Sequence, residues 1–294
     1  MAGLFSFLMA SRVGAVPDFA YPHTAAVHFM NGQNPYAVME GPPGSAGPYD
    51  QPLFYPFTTI LLLLPLVWLK TAMATGIFFG LSSALLAWCI TKDGIWRIHV
   101  FASAPFVYAA TLGQFSPLLM LMAFTPWAGF LAAIKPNLGL ALFVRRPTLH
   151  ALVGSLLFLA ISLAVFPGWP ADWLESLRRS VNDATHRAPV LQMGGFVLLL
   201  AIVAWRRAAG RLLLVMSLVP QALLFYDQLP LWLIPRTRGE SIFLTAASQA
   251  GMLLWYLSLD SNDNVILSAY PFVVPFLFLP ALGILLWQQR SRPS

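Results

Sequence analysis

Long apolar runs separated by short polar stretches dominate the pattern of this 294-residue chain. Uncharged or nearly uncharged runs cover 53–69, 71–91, 98–112, 115–134, 136–144, 147–168, 190–205, 212–235, 241–259 and 264–288. A spanning helix needs about 20 apolar residues, so several runs are half-spans, and Pro126 and Pro136 interrupt the middle ones. The pattern predicts an all-α transmembrane bundle of about eight to ten spans or half-spans, forming one integral membrane domain over 1–294.

The composition supports a membrane protein. Hydrophobic residues make up 58% of the chain and charged residues 10%, with a mean hydropathy of +0.71, whereas soluble domains carry about 25% charged residues. The single cysteine, Cys89, excludes an intrachain disulfide and a cysteine-based metal site. The net charge of +6 comes from short basic clusters between apolar runs, which indicates membrane topology and no nucleic-acid partner.

The charged clusters predict sidedness. By the positive-inside rule the basic connections face the cytoplasm: Lys92 and Arg97; Arg145 and Arg146; Arg206, Arg207 and Arg211; Arg236 and Arg238; Arg290 and Arg292. The acids concentrate in 17–52, 169–189 and 260–263, so we expect these loops to face outward at a bacterial-type plasma membrane. The 53–69 segment then begins and ends outside as a re-entrant or interfacial piece, or it crosses once and inverts the orientation of the later segments.

Two flanking segments add to this topology. Residues 4–10 are apolar without a preceding positive stretch, which favours a shortened first helix over a cleavable signal. Residues 170–182 predict an outer interfacial helix, because Pro170 suits a first helical turn and one face carries apolar side chains. These are Trp173, Leu174, Leu177 and Val181.

The polar stretch 17–37 precedes the first long apolar run. It carries Asp18, His23 and His28 and predicts a short helix ending at Asn31-Gly32. Asp18 is a candidate catalytic carboxylate, and a helix N-cap is the structural alternative. The i,i+5 spacing of the two histidines does not place both on one helix face, so we expect no metal site.

Three further polar positions interrupt apolar sequence. Gln114 follows Gly113, which predicts either a helix-ending turn or an amide that binds sugar hydroxyls. Lys135 lies within a long apolar stretch, where an ionisable group is a candidate functional site or a lysine snorkelling to the headgroups. Asp227, after Tyr226, either pairs with Lys135, lines a cavity, or belongs to an outward turn.

The order of these motifs resembles the GT-C glycosyltransferases, specifically the polyprenol-phosphate-mannose-dependent mannosyltransferase-like integral membrane proteins. The resemblance covers about residues 13–235. Its motifs are Asp18 before Asn-Gly-Gln-Asn-Pro-Tyr (31–36), Tyr55-Pro56-Phe57 leading into 61–66, Leu112-Gly113-Gln114, Ala128-Gly129 with Ile134-Lys135-Pro136, and Pro220 with Tyr226-Asp227. This chain has only about sixteen residues where the family has a full helix before the catalytic loop, and it lacks the usual basic loop between Gln114 and Lys135.

The resemblance implies a membrane hexosyltransferase. Family members move a sugar such as mannose from a polyprenyl-phosphate donor to a lipid or glycan acceptor at the outer membrane face, and they need no nucleotide cofactor. The family's catalytic aspartate falls on Asp18. Substrate-binding positions are then Tyr55, Gln114, Lys135, Tyr226, Asp227 and His23.

The residues fit inverting transfer. A carboxylate deprotonates the acceptor while the anomeric carbon becomes oxocarbenium-like, and a cation such as Lys135 stabilises the leaving phosphate. Two other classes remain open on the sequence. A transporter or lipid flippase would use Lys135 and Asp227 as a gating pair, and an inactive scaffold would fit the short first segment.

Overall fold

The computed structural model describes residues 1–12, 18–40, 52–92, 94–179, 186–260 and 264–290. These residues are almost entirely helical, which confirms the all-α class. The α-helices are α1 (Ala2–Arg12), α2 (Ala20–Met30), α3 (Pro35–Glu40), α4 (Phe57–Leu63), α5 (Thr71–Lys92), α6 (Ala104–Leu112), α7 (Ser116–Leu119), α8 (Pro136–Arg145), α9 (Leu149–Val165), α10 (Trp169–Arg179), α11 (Ala208–Leu218), α12 (Arg238–Ser258), α13 (Val265–Val273) and α14 (Leu279–Arg290).

Tighter and wider helical turns join many of these elements. The 3₁₀ segments are Leu64–Leu66, Ile95–Ala102, Met120–Ala123, Pro126–Ala133, Pro189–Leu191, Gly195–Ala204 and Tyr226–Leu233. A π-helical turn, Val274–Phe278, joins α13 to α14 so that Val265–Arg290 is one helix.

The sequence predicted about eight to ten spans or half-spans, and the described residues form a helical bundle that does not contain eight to ten spans. By length and composition, two helices can cross a membrane, Thr71–Lys92 and Val265–Arg290. The bent pair α9–α10 adds a third if it counts as one span. The reason is that prolines and 3₁₀ turns divide the other apolar runs into short helices. The run 53–69, for example, contains only Phe57–Leu66, about 15 Å at 1.5 Å per residue, which is too short for a plain crossing.

Helix α10 turns by 97° from the end of α9. The bend makes α10 a separate short helix at about a right angle to α9, and its interfacial role stays a prediction from the sequence. Trp173 is half-buried and donates its indole N–H to the Phe54 carbonyl at 3.0 Å, while Leu174 of the same predicted face is exposed. Val181, which the sequence placed on the same apolar face, lies outside the described residues, as do 41–51 of the predicted outer loop.

One end of the bundle is held together by arginines. The Arg211 guanidinium donates to the carbonyls of Val144 and Arg145, both at 2.8 Å, and Arg207 donates to the Gln288 carbonyl at 3.0 Å. Because α8 runs from Pro136 to Arg145, about 15 Å separates this basic end from the first turn of α8, where Lys135 lies.

Candidate active site

Asp18 lies in the turn that enters α2. The Phe19 N–H donates to the Leu112 carbonyl at 3.2 Å, which fixes this turn against the end of α6. The Asp18 carboxylate accepts hydrogen bonds from the side-chain amide of Gln114 and the hydroxyl of Tyr226. The N-cap of α2 is Phe19, without a side-chain cap, so the N-cap alternative for Asp18 is wrong.

Gln114 reaches Asp18 because α6 ends in a left-handed glycine. Gly113 has φ +67, and a Cβ there would come within 2.5 Å of the Thr75 methyl and 3.0 Å of the Phe19 Cβ. Only glycine can adopt this positive φ and also leave room for Thr75 and Phe19 without strain. The helix-ending turn and the amide that contacts Asp18 therefore both follow from one Gly-Gln pair.

Lys135 lies at a break in the backbone. Pro136 begins α8, so Lys135 is held out of helical geometry at φ −141 and ψ 83. The break leaves the carbonyls of Ala133 and Ile134 without helical partners. The Thr58 hydroxyl donates a hydrogen bond to the first at 2.6 Å, and the Thr59 hydroxyl donates one to the second at 2.5 Å. These hydroxyls satisfy buried backbone groups that would otherwise be costly.

The Lys135 ammonium joins the candidate residues into one network. Its Nζ lies 2.5 Å from Asp227 Oδ1, 3.3 Å from Gln114 Oε1, and 5.0 Å from the centroid of the Tyr226 ring. Asp227 is fully buried, which removes the outward-turn alternative. Lys135 faces inward as well, with 13% of its side chain exposed, so it does not snorkel.

An unusual turn places Tyr226 and Asp227. Phe225, a buried aromatic residue, has φ 66 and ψ −45, and the Tyr226 N–H donates to the Leu224 carbonyl at 2.9 Å. This is a γ-turn, which is strained for a residue with a side chain. The Ser116 hydroxyl donates to the Tyr226 carbonyl at 2.7 Å and holds the next residue in place.

These residues border a cavity of about 620 Å³. Asp18, Lys135, Tyr55 and Tyr226 lie at its wall, and Asp227 lies behind Lys135. The other lining residues are mostly apolar or aromatic: Tyr21, Pro52, Phe54, Pro56, Ile134, Pro136, Asn137, Trp173, Leu177, His186, Pro220, Ala222 and Ile266.

His23 does not line this cavity. One of its ring nitrogens lies 3.1 Å from the Leu66 carbonyl oxygen and the other 3.4 Å from the Thr71 hydroxyl, and the ring stacks on Phe19. Helix α2 thus turns His23 toward the start of α5 and away from the other candidate residues.

The cavity is unfavourable for negative charge. Burial raises the pKa of the Asp18 carboxyl above its ordinary value, the Lys135 charge opposes that rise, and the Asp227 charge adds to it. Burial also raises the pKa of the Tyr55 hydroxyl, which stays protonated. Asp227 Oδ2 is buried without a hydrogen-bond partner among the described residues.

Sequence reasoning missed two supports of this site. The paired threonines Thr58 and Thr59 stand out as polar residues inside an apolar run, and that signal was available. Phe225 gave no signal, because a buried aromatic residue is the last type expected at positive φ.

The comparisons with known proteins identify no relatives. No protein-family profile, curated protein or solved structure matches this chain. The family resemblance therefore stays a prediction from the sequence motifs. Among the described residues, no group of three or more His, Cys, Asp or Glu side chains is placed to hold a metal ion.

Proposed function

We propose that this protein is an inverting membrane glycosyltransferase of the GT-C type, which moves a hexose such as mannose from a polyprenyl phosphate to a lipid or glycan acceptor. One observation carries the proposal. A carboxylate, Asp18, borders a cavity with a mostly apolar or aromatic lining at the end of the bundle opposite the basic cluster, with an ammonium group in the same network. By the positive-inside rule that end faces outward.

Asp18 acts as general base. It accepts the proton of the acceptor hydroxyl while that oxygen attacks the anomeric carbon, and the bond from that carbon to the phosphate oxygen breaks. The phosphate leaves with the bonding electron pair as a stable anion, so no strong general acid is needed. Gln114 and Tyr226 hold the Asp18 carboxylate by hydrogen bonds and fix its orientation.

Lys135 supplies positive charge to the same end of the cavity. An ammonium group has three N–H donors, and Asp227 and Gln114 occupy two of them. The third is left for substrate, where it stabilises negative charge that develops on a hydroxyl or on the phosphate.

The test is transfer in detergent from a short polyprenyl-phosphate hexose to a membrane lipid extract, followed by mass spectrometry. The wild-type protein should form a glycosylated product, and Asp18→Asn should reduce its rate by about 10²–10⁴-fold with the fold intact. Glu175→Gln, a neutralised acid on exposed α10, should match wild type. An Asp18→Asn rate above about a tenth of wild type would remove Asp18 as base.

A transporter is the second candidate, and the buried Lys135–Asp227 pair favours it. A buried ion pair whose carboxylate has one unsatisfied oxygen is a plausible coupling site for an ion or proton. Reconstituted vesicles separate the two functions. Solute or lipid movement driven by a proton gradient without any glycosylated product would support transport and contradict the transferase.

A further inference from the structure

His186 lies at the mouth of the cavity, and Arg187 is the next residue in the chain. His186 lines the cavity and its ring lies 5.0 Å from that of Phe54, while both residues are exposed. Leu177 of α10 and Ile266 of α13 line the cavity as well. The mouth thus opens beside an interfacial helix and beside the first turn of the spanning helix Val265–Arg290.

The backbone holds this segment in a defined position. Arg187 and Gln221 form an antiparallel bridge, with N–H to carbonyl distances of 3.3 Å and 3.2 Å. Gln221 is buried between Pro220 and Ala222, both of which line the cavity. The Arg187 guanidinium lies 5.9 Å from the centroid of the Tyr270 ring on α13. An anion bound beside His186 would therefore have a cation nearby whose guanidinium packs on α13.

The inner end of the cavity is the wrong place for an anion. Two carboxylates, Asp18 and Asp227, lie at this end with only one ammonium group, that of Lys135. The Lys135 ammonium is already paired with Asp227 at 2.5 Å. A phosphate deep in the cavity would meet an excess negative charge while losing water, and both effects cost free energy. A phosphate bound at the mouth avoids that repulsion.

We propose that His186 and Arg187 form the binding site for the phosphate of a lipid phosphate. The apolar chain of the lipid then leaves the mouth along the exposed side chains Val265 and Leu267 at the start of α13. This inference rests on the proposed function for its orientation, with the sugar pointing inward to Asp18. It changes the expected role of Lys135, which acts inside the cavity and does not hold the resting phosphate.

Binding without turnover tests the site. The probe is geranylgeranyl phosphate, titrated calorimetrically into purified full-length protein in detergent, with geranylgeraniol and inorganic phosphate as separate ligands. His186→Gln and Arg187→Gln should each weaken binding of the lipid phosphate about tenfold, the usual size of one charged hydrogen bond. The control Arg236→Gln, at the basic end, should stay within about twofold of wild type.

Each outcome decides a separate point. Unchanged binding of the lipid phosphate in both His186→Gln and Arg187→Gln would overturn the inference. If inorganic phosphate binds as tightly as geranylgeranyl phosphate, the assignment to a lipid phosphate is wrong. If geranylgeraniol binds as tightly as geranylgeranyl phosphate, the site does not recognise the phosphate group. If the mouth variants weaken binding but no sugar is ever transferred, this site stands and the proposed transferase fails.

Discussion

Nζ of Lys135 lies 2.5 Å from Oδ1 of Asp227, and only 13% and 1% of the two side chains are exposed. The residues are 92 positions apart, so the contact joins the break before α8 to the strained turn at Phe225. Desolvation of two charges costs about as much as their attraction returns, so this pair is weak evidence for stability by itself. Its effect is to fix the position of the two segments that bear the candidate site.

The pair should show strong coupling in a double-mutant cycle. Lys135→Met and Asp227→Asn each leave one buried charge without its partner, and each should lower the free energy of unfolding by about 3–5 kcal/mol. The double variant should recover at least half of that loss, because no uncompensated charge remains. Tryptophan fluorescence during denaturation in detergent measures the effect.

An exposed pair serves as the control. Glu175 and Arg179 lie 3.2 Å apart on the surface of α10 and should show a coupling below about 1 kcal/mol in the same cycle. Additive losses for Lys135 and Asp227 would mean that the two charges do not interact in the folded protein.

The pH profile should reveal Asp18. Because burial raises its pKa, the carboxylate form is lost as pH falls through a value above the ordinary aspartate range, and the transfer rate falls with it. Gln114→Glu replaces the amide donor with a negative charge, so it should move the acid limb of the profile to still higher pH. Gln114→Met, which removes the hydrogen bond without adding charge, should cause a smaller shift in the same direction.

The same pKa shift predicts a stability effect of known sign. A raised pKa in the folded state means that folding favours the protonated carboxyl, so this contribution to stability is present at low pH and is lost as pH rises through the folded value. Asp18→Asn should therefore unfold at a higher denaturant concentration than wild type at neutral pH. Equal midpoints at neutral pH would mean that Asp18 is not destabilised by burial.

The sequence predicted the candidate site better than the membrane topology. Asp18, Gln114, Lys135 and Asp227 are polar exceptions in apolar sequence, and a buried polar group requires a partner, so their convergence follows from physical chemistry. The number of spans was predicted wrongly because an apolar run indicates only burial or lipid contact. Whether the run forms one continuous helix depends on local breaks such as prolines and 3₁₀ turns. The γ-turn at Phe225 is imposed by tertiary packing against the conformational preference of phenylalanine, and no sequence rule predicts it.

The strain at Phe225 is measurable with two substitutions. Phe225→Ala and Phe225→Gly remove the same buried ring, but alanine keeps the penalty for positive φ whereas glycine does not. We expect the Phe225→Gly protein to be more stable than the Phe225→Ala protein by about 1 kcal/mol. In an ordinary loop the order is reversed, because a protein with glycine is less stable than one with alanine by about 0.4–1 kcal/mol. Greater stability for Phe225→Ala in the denaturation assay would show that the turn is not strained.

Close packing of α1 on α5 gives the last prediction. Gly76 and Gly80 lie one turn apart on α5, and Gly3 of α1 approaches both. A Cβ on Gly76 would come within 2.7 Å of the Phe7 Cβ and 2.9 Å of the Gly3 carbonyl oxygen, neither of which is a flexible side-chain end. Small residues allow helices to approach in this way where lipid removes the hydrophobic driving force.

Gly76→Ala should therefore destabilise the protein by about 1–3 kcal/mol, the usual cost of overpacking. The matched control is Gly283→Ala on α14, where a Cβ would meet nothing within 4 Å. There the higher helix propensity of alanine should leave stability unchanged or raise it by up to about 1 kcal/mol. Because α1 also packs beside α6, which ends two residues before Gln114, Gly76→Ala should reduce transfer as well, while Gly283→Ala should not. A Gly76→Ala protein as stable as wild type would show that α1 does not pack on α5 at this distance.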